Sequence, residues 1–334
     1  MAVVLDLHEG PRRNGGPPSF SASQGEDHGG AGRYIRYTMP TSDPIDISQW
    51  ELREDEPQGK NEKSWYRDPR TGHVWLFKPA ARRPGQPPDG REWAEKIAEL
   101  LAVELDVPVA PVEFAVLDGV LGTICENANP GSNPIQSGSA LLTSRNPSFD
   151  PRAKDSAGHS AREIQNALRG IEPPLSFSGP RALTSYDVFC GYLVLDALIA
   201  NQDRHSQNWS VVSVDGRRHL MESYDHGSSL SAGHKDTKRQ VMTDSESAFQ
   251  GFLQRGRATR FESGRHTTLR EYARMALDLG TPGALEYWLD KVDALTPDII
   301  AGVVSRTHGM TGVASTFVVK LLVAEREGLI DALS

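Results

Sequence analysis

Cysteine is scarce in this chain: Cys125 and Cys190 are the two among 334 residues, far apart and in apolar surroundings. That excludes a disulfide framework, a paired-thiol redox motif and a thiolate metal site. Both read as small buried hydrophobes, in keeping with a reducing compartment. Long apolar runs are missing too. The most hydrophobic stretch, residues 191–200, carries Asp196 and falls well short of the ~20 residues that span a bilayer. The N-terminus shows no basic region followed by an apolar core, so no secretory leader is read there. Nor is there a surplus of positive charge. The net charge is −8, which argues against a general nucleic-acid or membrane-surface binder, since either needs a basic face. Basic clusters at Arg217-Arg218, Lys235 to Arg239 and Arg255 to Arg265 are local and read as solvated faces. A soluble, cytoplasmic protein is expected, with no direct nucleic-acid binding and no membrane contact.

What is present divides along the chain. Residues 1–35 are rich in Gly, Pro, Ser and His, with too little to bury to offset the entropy of ordering, and are expected to form a disordered tail. Met39 is an alternative start. Residues 64–66 and 74–77 are aromatic and apolar runs joined by Asp68-Pro69-Arg70-Thr71-Gly72, the pattern of a hairpin. A Pro/Gly-rich loop leads to a helix expected over residues 91–105. Trp93, Ala94, Ile97, Ala98, Leu100, Leu101, Ala102 and Leu105 share one broad arc of it. Glu95 sits at the edge of that arc, with Glu92 and Lys96 further round on the polar side. Two more strands are expected at residues 112–117 and 120–125.

Residues 128–160 are dense in Asn, Pro, Ser and Gly and read as a long irregular connection. Helices follow at residues 160–169, 186–200, 268–279, 283–294 and 316–333, with a strand pair at residues 209–214 and 217–221. The stripe Tyr186, Phe189, Cys190, Leu193, Val194, Ala197 and Leu198 places the second of these helices deep in the core. A strand-rich part followed by a helix-rich part is an α+β arrangement of two units. Their expected boundaries are residues 36–126 and 127–330.

The chemistry concentrates in two stretches. Asn201-Gln202-Asp203-Arg204-His205-Ser206-Gln207-Asn208 lies between the buried helix and the strand pair, and Tyr224-Asp225-His226-Gly227-Ser228-Ser229-Leu230 comes just after that pair. Phosphoryl transfer asks a protein for alignment and charge neutralisation more than for covalent chemistry. Asp203 can orient an attacking hydroxyl, while Asn208 and Asp225 offer the hard oxygen donors that Mg²⁺ takes. The Asp-to-Asn offset matches the protein-kinase catalytic loop, and Asp225 stands where that fold places its second metal-binding carboxylate. Upstream, Lys78 ends an apolar strand, where it can reach nucleotide phosphates, and Glu95 on the next helix can hold it in place. Gly59-Lys60-Asn61-Glu62-Lys63 precedes the first aromatic strand and can cover phosphates with backbone N–H groups.

Together with Trp75-Leu76-Phe77-Lys78-Pro79 and Trp93-Ala94-Glu95-Lys96-Ile97-Ala98, these stretches resemble the HipA-like serine/threonine kinases, over roughly residues 50–300. The resemblance implies a protein-kinase-like two-lobed fold, with an antiparallel-sheet N-lobe and a mainly helical C-lobe. It implies ATP and Mg²⁺ as cofactors, Asp203 as catalytic base or substrate-orienting residue, Asn208 and Asp225 as metal ligands, and Lys78 with Glu95 at the phosphates. It further implies an adenine-binding hinge around Ile124 to Glu126 and a buttressing His205. Gly59, Lys60 and Lys63 would form the phosphate loop.

The acceptor would be a protein Ser or Thr, with an antitoxin or regulatory partner. Where larger family members carry an extra N-terminal subdomain, this chain offers only the tail, so it looks like the short, stand-alone type. The inhibitory serine ahead of the phosphate loop in several members is absent from Glu56-Pro57-Gln58-Gly59. Other readings are a small-molecule or lipid kinase on the same scaffold, and a nucleotide-binding regulatory module without catalysis. A metal hydrolase using Asp203, His205, Asp225 and His226 is a further rival. It leaves Lys78 and Glu95 without a role.

Overall fold

The computed structural model describes residues 43–55, 63–80, 89–129 and 133–334. The expected tail at residues 1–35, Met39, and Gly59 and Lys60 of the phosphate loop lie outside the described residues. Four strands come first: β1 (Ile45–Asp46), β2 (Glu51–Asp55), β3 (Ser64–Arg67) and β4 (Val74–Pro79). The turn between β3 and β4 is set by Asp68, whose carboxylate accepts from Arg70 N (2.8 Å) and Thr71 Oγ1 (2.8 Å). Helix α1 (Arg91–Glu104) and strands β5 (Val112–Leu117) and β6 (Val120–Glu126) complete the N-lobe.

The sheet order is β1-β5-β6-β4-β3-β2. Every neighbouring pair is antiparallel except β1 with β5, which is parallel. The expected all-antiparallel sheet thus has one parallel edge, because β1 enters along the far side of β5 rather than through a hairpin.

Helix α1 buries the apolar arc read from the sequence except for Leu100, which is half-buried, but its polar side is covered as well. Glu92 and Lys96 are buried rather than solvated. The Lys96 ammonium donates to Val112 O (2.6 Å) and pairs with Glu99 (3.1 Å) and Glu113 (3.2 Å) beside β5. A helical wheel shows which face is apolar and cannot show that a strand roofs the other one.

The connection expected to be irregular folds instead into β7 (Ile135–Ser137), α2 (Gly138–Arg145) and α3 (Ala161–Ala167), joined by turns. Ser137 caps α2 by accepting from Ala140 N, the polar-residue start signal of a helix. Helix α4 (Ser185–Leu198) is buried along its whole length and opens with a capping box between Thr184 and Asp187. Strands β8 (Ser210–Val214) and β9 (Arg217–Leu220) pair with β7 in a small sheet of order β7-β8-β9.

Six further helices close the C-lobe: α5 (Asp236–Asp244), α6 (Glu246–Leu253), α7 (Leu269–Leu277), α8 (Ala284–Ala294), α9 (Pro297–Ser305) and α10 (Gly312–Leu333). Sequence reading missed α5, α6 and α9. In α5 only Arg239 and Met242 are buried, too few to draw a stripe. The start of α9 did carry a signal, Thr296 as cap and Pro297 in the first turn.

The main hydrophobic core runs from α1 through α4 into α7, α8 and α10, whereas the sheet's other face holds a small cluster of Ile47, Phe77, Ala115 and Ile124. Among the described residues no helix is long and apolar enough to cross a membrane.

Candidate active site

The site is built from the floor upward. Helix α4 ends at Leu198, and Ala200 turns the chain in the left-handed region at φ 52°. Beneath the loop 201–208 lies Arg204, fully buried. Its Nε and Nη2 meet the Asp196 carboxylate at 2.7 and 2.8 Å. Its remaining donors reach Asn208 O (2.9 Å) and Ser223 Oγ (2.9 Å). Asn201 adds a bond from Nδ2 to Asp196 (2.7 Å) and accepts from Asp203 N (3.1 Å). A buried ion pair repays its desolvation only when further hydrogen bonds satisfy it, and here they do. Burial works against the Arg204 charge, yet Asp196 more than compensates and raises its pKa. The result is a rigid loop. Its Asn208 donates from Nδ2 to Asp203 O (2.9 Å), a bond that does not use the amide oxygen.

The second stretch docks on the same floor. His226 is buried, with Nε2 at 2.7 Å from Ser223 Oγ and 3.3 Å from Arg204 Nη2. Burial and then the Arg204 charge push its pKa down to about 3, so the ring is neutral. Arginine only donates, so Nε2 is the acceptor and Nδ1 carries the proton. Just before it, Asp225 takes φ 63°. A non-glycine residue held in that sparsely populated region is strained.

Gly227 lets the chain approach α1. A Cβ there would lie 3.3 Å from Glu95 Oε1 and from Arg91 O.

Across the cleft, Lys78 Nζ sits 3.0 Å from Glu95 Oε1 and 3.0 Å from Asp225 Oδ1. The other oxygen of Glu95 accepts from His226 N at 2.8 Å. One carboxylate therefore joins β4, α1 and the loop after β9. The Lys78 charge holds Asp225 well below the usual carboxylate range, with burial opposing it and Lys63 adding to the lowering. Burial alone would lower Lys78, but Asp225 and Glu95 outweigh it and keep the ammonium charged.

The upper rim was not read from the sequence. Asp203 Oδ1 accepts from Nε (2.9 Å) and Nη2 (2.6 Å) of Arg260. Arg260 belongs to the basic cluster 255–265 that reads as a solvated face, and spacing gives no hint that it folds back over Asp203. Asp196 was legible as an acid inside the most apolar stretch, though not as the partner of Arg204.

His205 does not buttress the loop through any contact like those of Arg204. It is half-buried and accepts at Nδ1 from Gln207 N (3.2 Å), and burial lowers its pKa.

The expected hinge is displaced as well. Ile124 pairs with Phe77 on one side and Glu113 on the other, and its side chain lies in the small core behind the sheet. Its backbone is therefore consumed by the ladder. Glu126 N donates to Pro111 O (2.9 Å), and its carboxylate meets His73 Nδ1 (2.5 Å). Besides Thr123, which pairs with Lys78, the β6 residue Cys125 shares the Lys78 face by strand alternation. It is half-buried rather than fully buried like Cys190, and burial pushes its thiol up to about 12.

Among the described residues no group of three or more His, Cys, Asp or Glu side chains could hold a metal ion. The oxygen donors that the two stretches offer for an ion are the Asn208 amide oxygen and the Asp225 carboxylate. Two hard oxygens fit a Mg²⁺ ion that takes its remaining ligands from phosphates and water, and fit neither zinc nor a soft metal.

No family model matches the sequence, and no curated protein matches it. Solved structures do. A Helicobacter pylori proinflammatory kinase, CtkA, superposes with a TM-score of 0.67 at 13% identity, covering 87% of this chain and 96% of its own. HipA from Shewanella oneidensis, solved with HipB and its operator DNA, gives a TM-score of 0.51 at 15% identity, covering 91% of this chain and 69% of its own. At such identities what is shared is the fold, an α+β two-lobed kinase fold of the kind seen in the HipA-like kinases.

Proposed function

We propose that this chain is an ATP- and Mg²⁺-dependent phosphotransferase, acting as a protein serine/threonine kinase. One observation carries the reading. The loop 201–208 presents Asp203 and Asn208 from the C-lobe while Lys78, held by Glu95 on the N-lobe side, meets Asp225 at 3.0 Å across the cleft. A purely structural ion-pair network would not need Asp225 held at φ 63° against Lys78.

The roles follow from the chemistry of each group. Lys78 neutralises nucleotide phosphates, and Glu95 sets its position. Asn208 and Asp225 would hold Mg²⁺, which when bound offsets the charge that develops on the phosphates. Asp203 orients the acceptor hydroxyl and takes its proton. Lys63 brings a second cation to the phosphate side. Adenine contacts move from Ile124 and Glu126 to Ala128 and the carbonyls beside it, because Asn127 N still donates to Val74 O on β4 (2.9 Å) and Asn129 N to Asn127 Oδ1 (2.9 Å).

A regulatory partner is part of the proposal on the likeness to HipA, as is a cytoplasmic location, where ATP is supplied. Co-purification from native extract and cell fractionation test these two points.

The central test is incubation of the purified chain with γ-labelled ATP and Mg²⁺ beside its Asp203→Asn variant. Labelled protein that is lost in the variant supports the reading. Equal label or equal ATP turnover in both would remove Asp203 from the mechanism.

A further inference from the structure

A cavity of about 660 Å³ opens beside the catalytic loop, with His205 and Ser206 on one wall. Its other walls come from two segments, 149–159 and 259–265. These are tied together by Glu262 N donating to His159 O (2.9 Å), Gly158 N donating to the Glu262 carboxylate (3.2 Å), and Arg265 donating to Lys154 O. The His159 ring adds a further link. Trp209 Nε1 donates to its Nε2 (3.3 Å), so Nδ1 carries the proton and donates to Arg260 O (2.6 Å). The trough is thus built before anything binds in it.

Its charge runs against that of the molecule. Arg152, Lys154, Arg260 and Arg265 line it with Asp150 as the sole acidic side chain, in a chain whose net charge is −8. Arg152, Lys154 and Arg265 are exposed, and among the described residues none of the three lies within 4.0 Å of a carboxylate. Asp150 is itself occupied in accepting from Arg152 N (2.9 Å). Only Arg260 has an acidic partner, and that partner is Asp203.

We propose that this trough is the acceptor subsite and that its substrate is a protein segment whose Ser or Thr is flanked by acidic residues. The proposal rests on the kinase reading above and adds the acceptor class to it. Unpaired cations on two separate segments suit a chain bearing several carboxylates. A single phosphate would instead call for donors converging on one point.

Arg260 links binding to chemistry. Before the acceptor arrives it holds Asp203 Oδ1. An acidic side chain of the acceptor competes for the guanidinium and releases Asp203 to the acceptor hydroxyl. The hydroxyl oxygen then bonds to the γ-phosphorus of ATP as the bond to the β-phosphate oxygen breaks. ADP leaves, and the hydroxyl proton passes to Asp203.

The test uses the full chain with MgATP and three acceptors: a serine peptide flanked by Glu, the same peptide flanked by Ala, and inositol phosphates. ATP hydrolysis without acceptor and nucleotide binding are measured alongside. The expected result is phosphorylation of the Glu-flanked peptide with a KM at least ~10-fold below that of the Ala-flanked one, rising with salt. In the Arg152→Glu, Lys154→Glu double variant, KM for the Glu-flanked peptide rises ~10-fold or more while that for the Ala-flanked peptide stays. Both positions are exposed, so folding is not at stake, and fluorescence anisotropy of the labelled Glu-flanked peptide reads the same loss without turnover.

Equal use of both peptides, transfer to inositol phosphate alone, or ATP hydrolysis with no peptide labelled would overturn the acceptor assignment and leave the kinase reading standing. Failure to bind or hydrolyse MgATP at all would overturn both.

Discussion

Asp196–Arg204 beneath the loop 201–208 and Asp203–Arg260 above it are chemically the same pair in opposite surroundings. The lower pair is 1–2% exposed, and its hydrogen-bonding groups are tied to Asn201, Asn208 and Ser223. In the upper pair Arg260 is 50% exposed and Asp203 31%, joined through one carboxylate oxygen. In a dry site an unpaired charge is very costly, so the lower pair is a permanent fixture. In solvent the same contact is weak and exchangeable. The loop is therefore rigid from below and open to replacement from above, which suits a side chain that must be held in place yet released to a substrate.

Four substitutions press on that contrast. Asp196→Ala strands Arg204 without its counter-charge and is expected to cost ~3–5 kcal/mol of folding stability, read by urea denaturation. A loss below ~1 kcal/mol would mean that the floor is not the anchor described. Asp203→Asn leaves the fold in place and, on the proposed function, lowers phosphoryl transfer by ~10²–10⁴-fold, measured as single-turnover transfer from labelled ATP.

His159→Gln probes the joint between the two regions through pH. Burial holds the His159 pKa at about 4 against an ordinary 6.5, so the unfolded chain binds the extra proton between these values. Its contribution to stability is complete above pH 6.5 and is lost as the pH falls towards 4. The slope of stability against pH in that window should be shallower in the variant by up to ~1.4 kcal/mol per pH unit. Identical slopes would show that the ring is not held neutral. Arg260→Ala is expected to change stability by less than ~1 kcal/mol. A larger loss would make the upper pair a structural bond.

Strands β3 to β6, helices α1 and α4, and the two stretches that build the candidate site were legible because each rests on local pattern. Aromatic runs about a turn, an apolar stripe at helical spacing, and Asp203, Asn208 and Asp225 at fixed offsets are all properties of neighbouring residues. What escaped depends on contacts distant in sequence. Nothing near Arg260 says that it will reach Asp203, and nothing near Lys96 says that β5 will cover it. Ile124 was misplaced for a related reason. A strand's end can be read from composition, but which residues remain in the ladder depends on the partner strands, β4 and β5. The connection after β6 misled by composition, since its Asn, Pro and Ser residues serve as caps and turns around β7 and α2.

Helix α1 shares the core of α4, while the sheet rests partly on the small cluster of Ile47, Phe77, Ala115 and Ile124. Local opening is easiest where few apolar contacts must be given up. The backbone amides of β2 and β3 should therefore exchange with deuterated solvent well before those of α1, although all three lie in the same lobe. With Glu95 fixed between Lys78 and His226 N, the strands then breathe against a stationary helix. On the proposed function, entry of a nucleotide would be gated by the outer sheet edge rather than by a swing of α1.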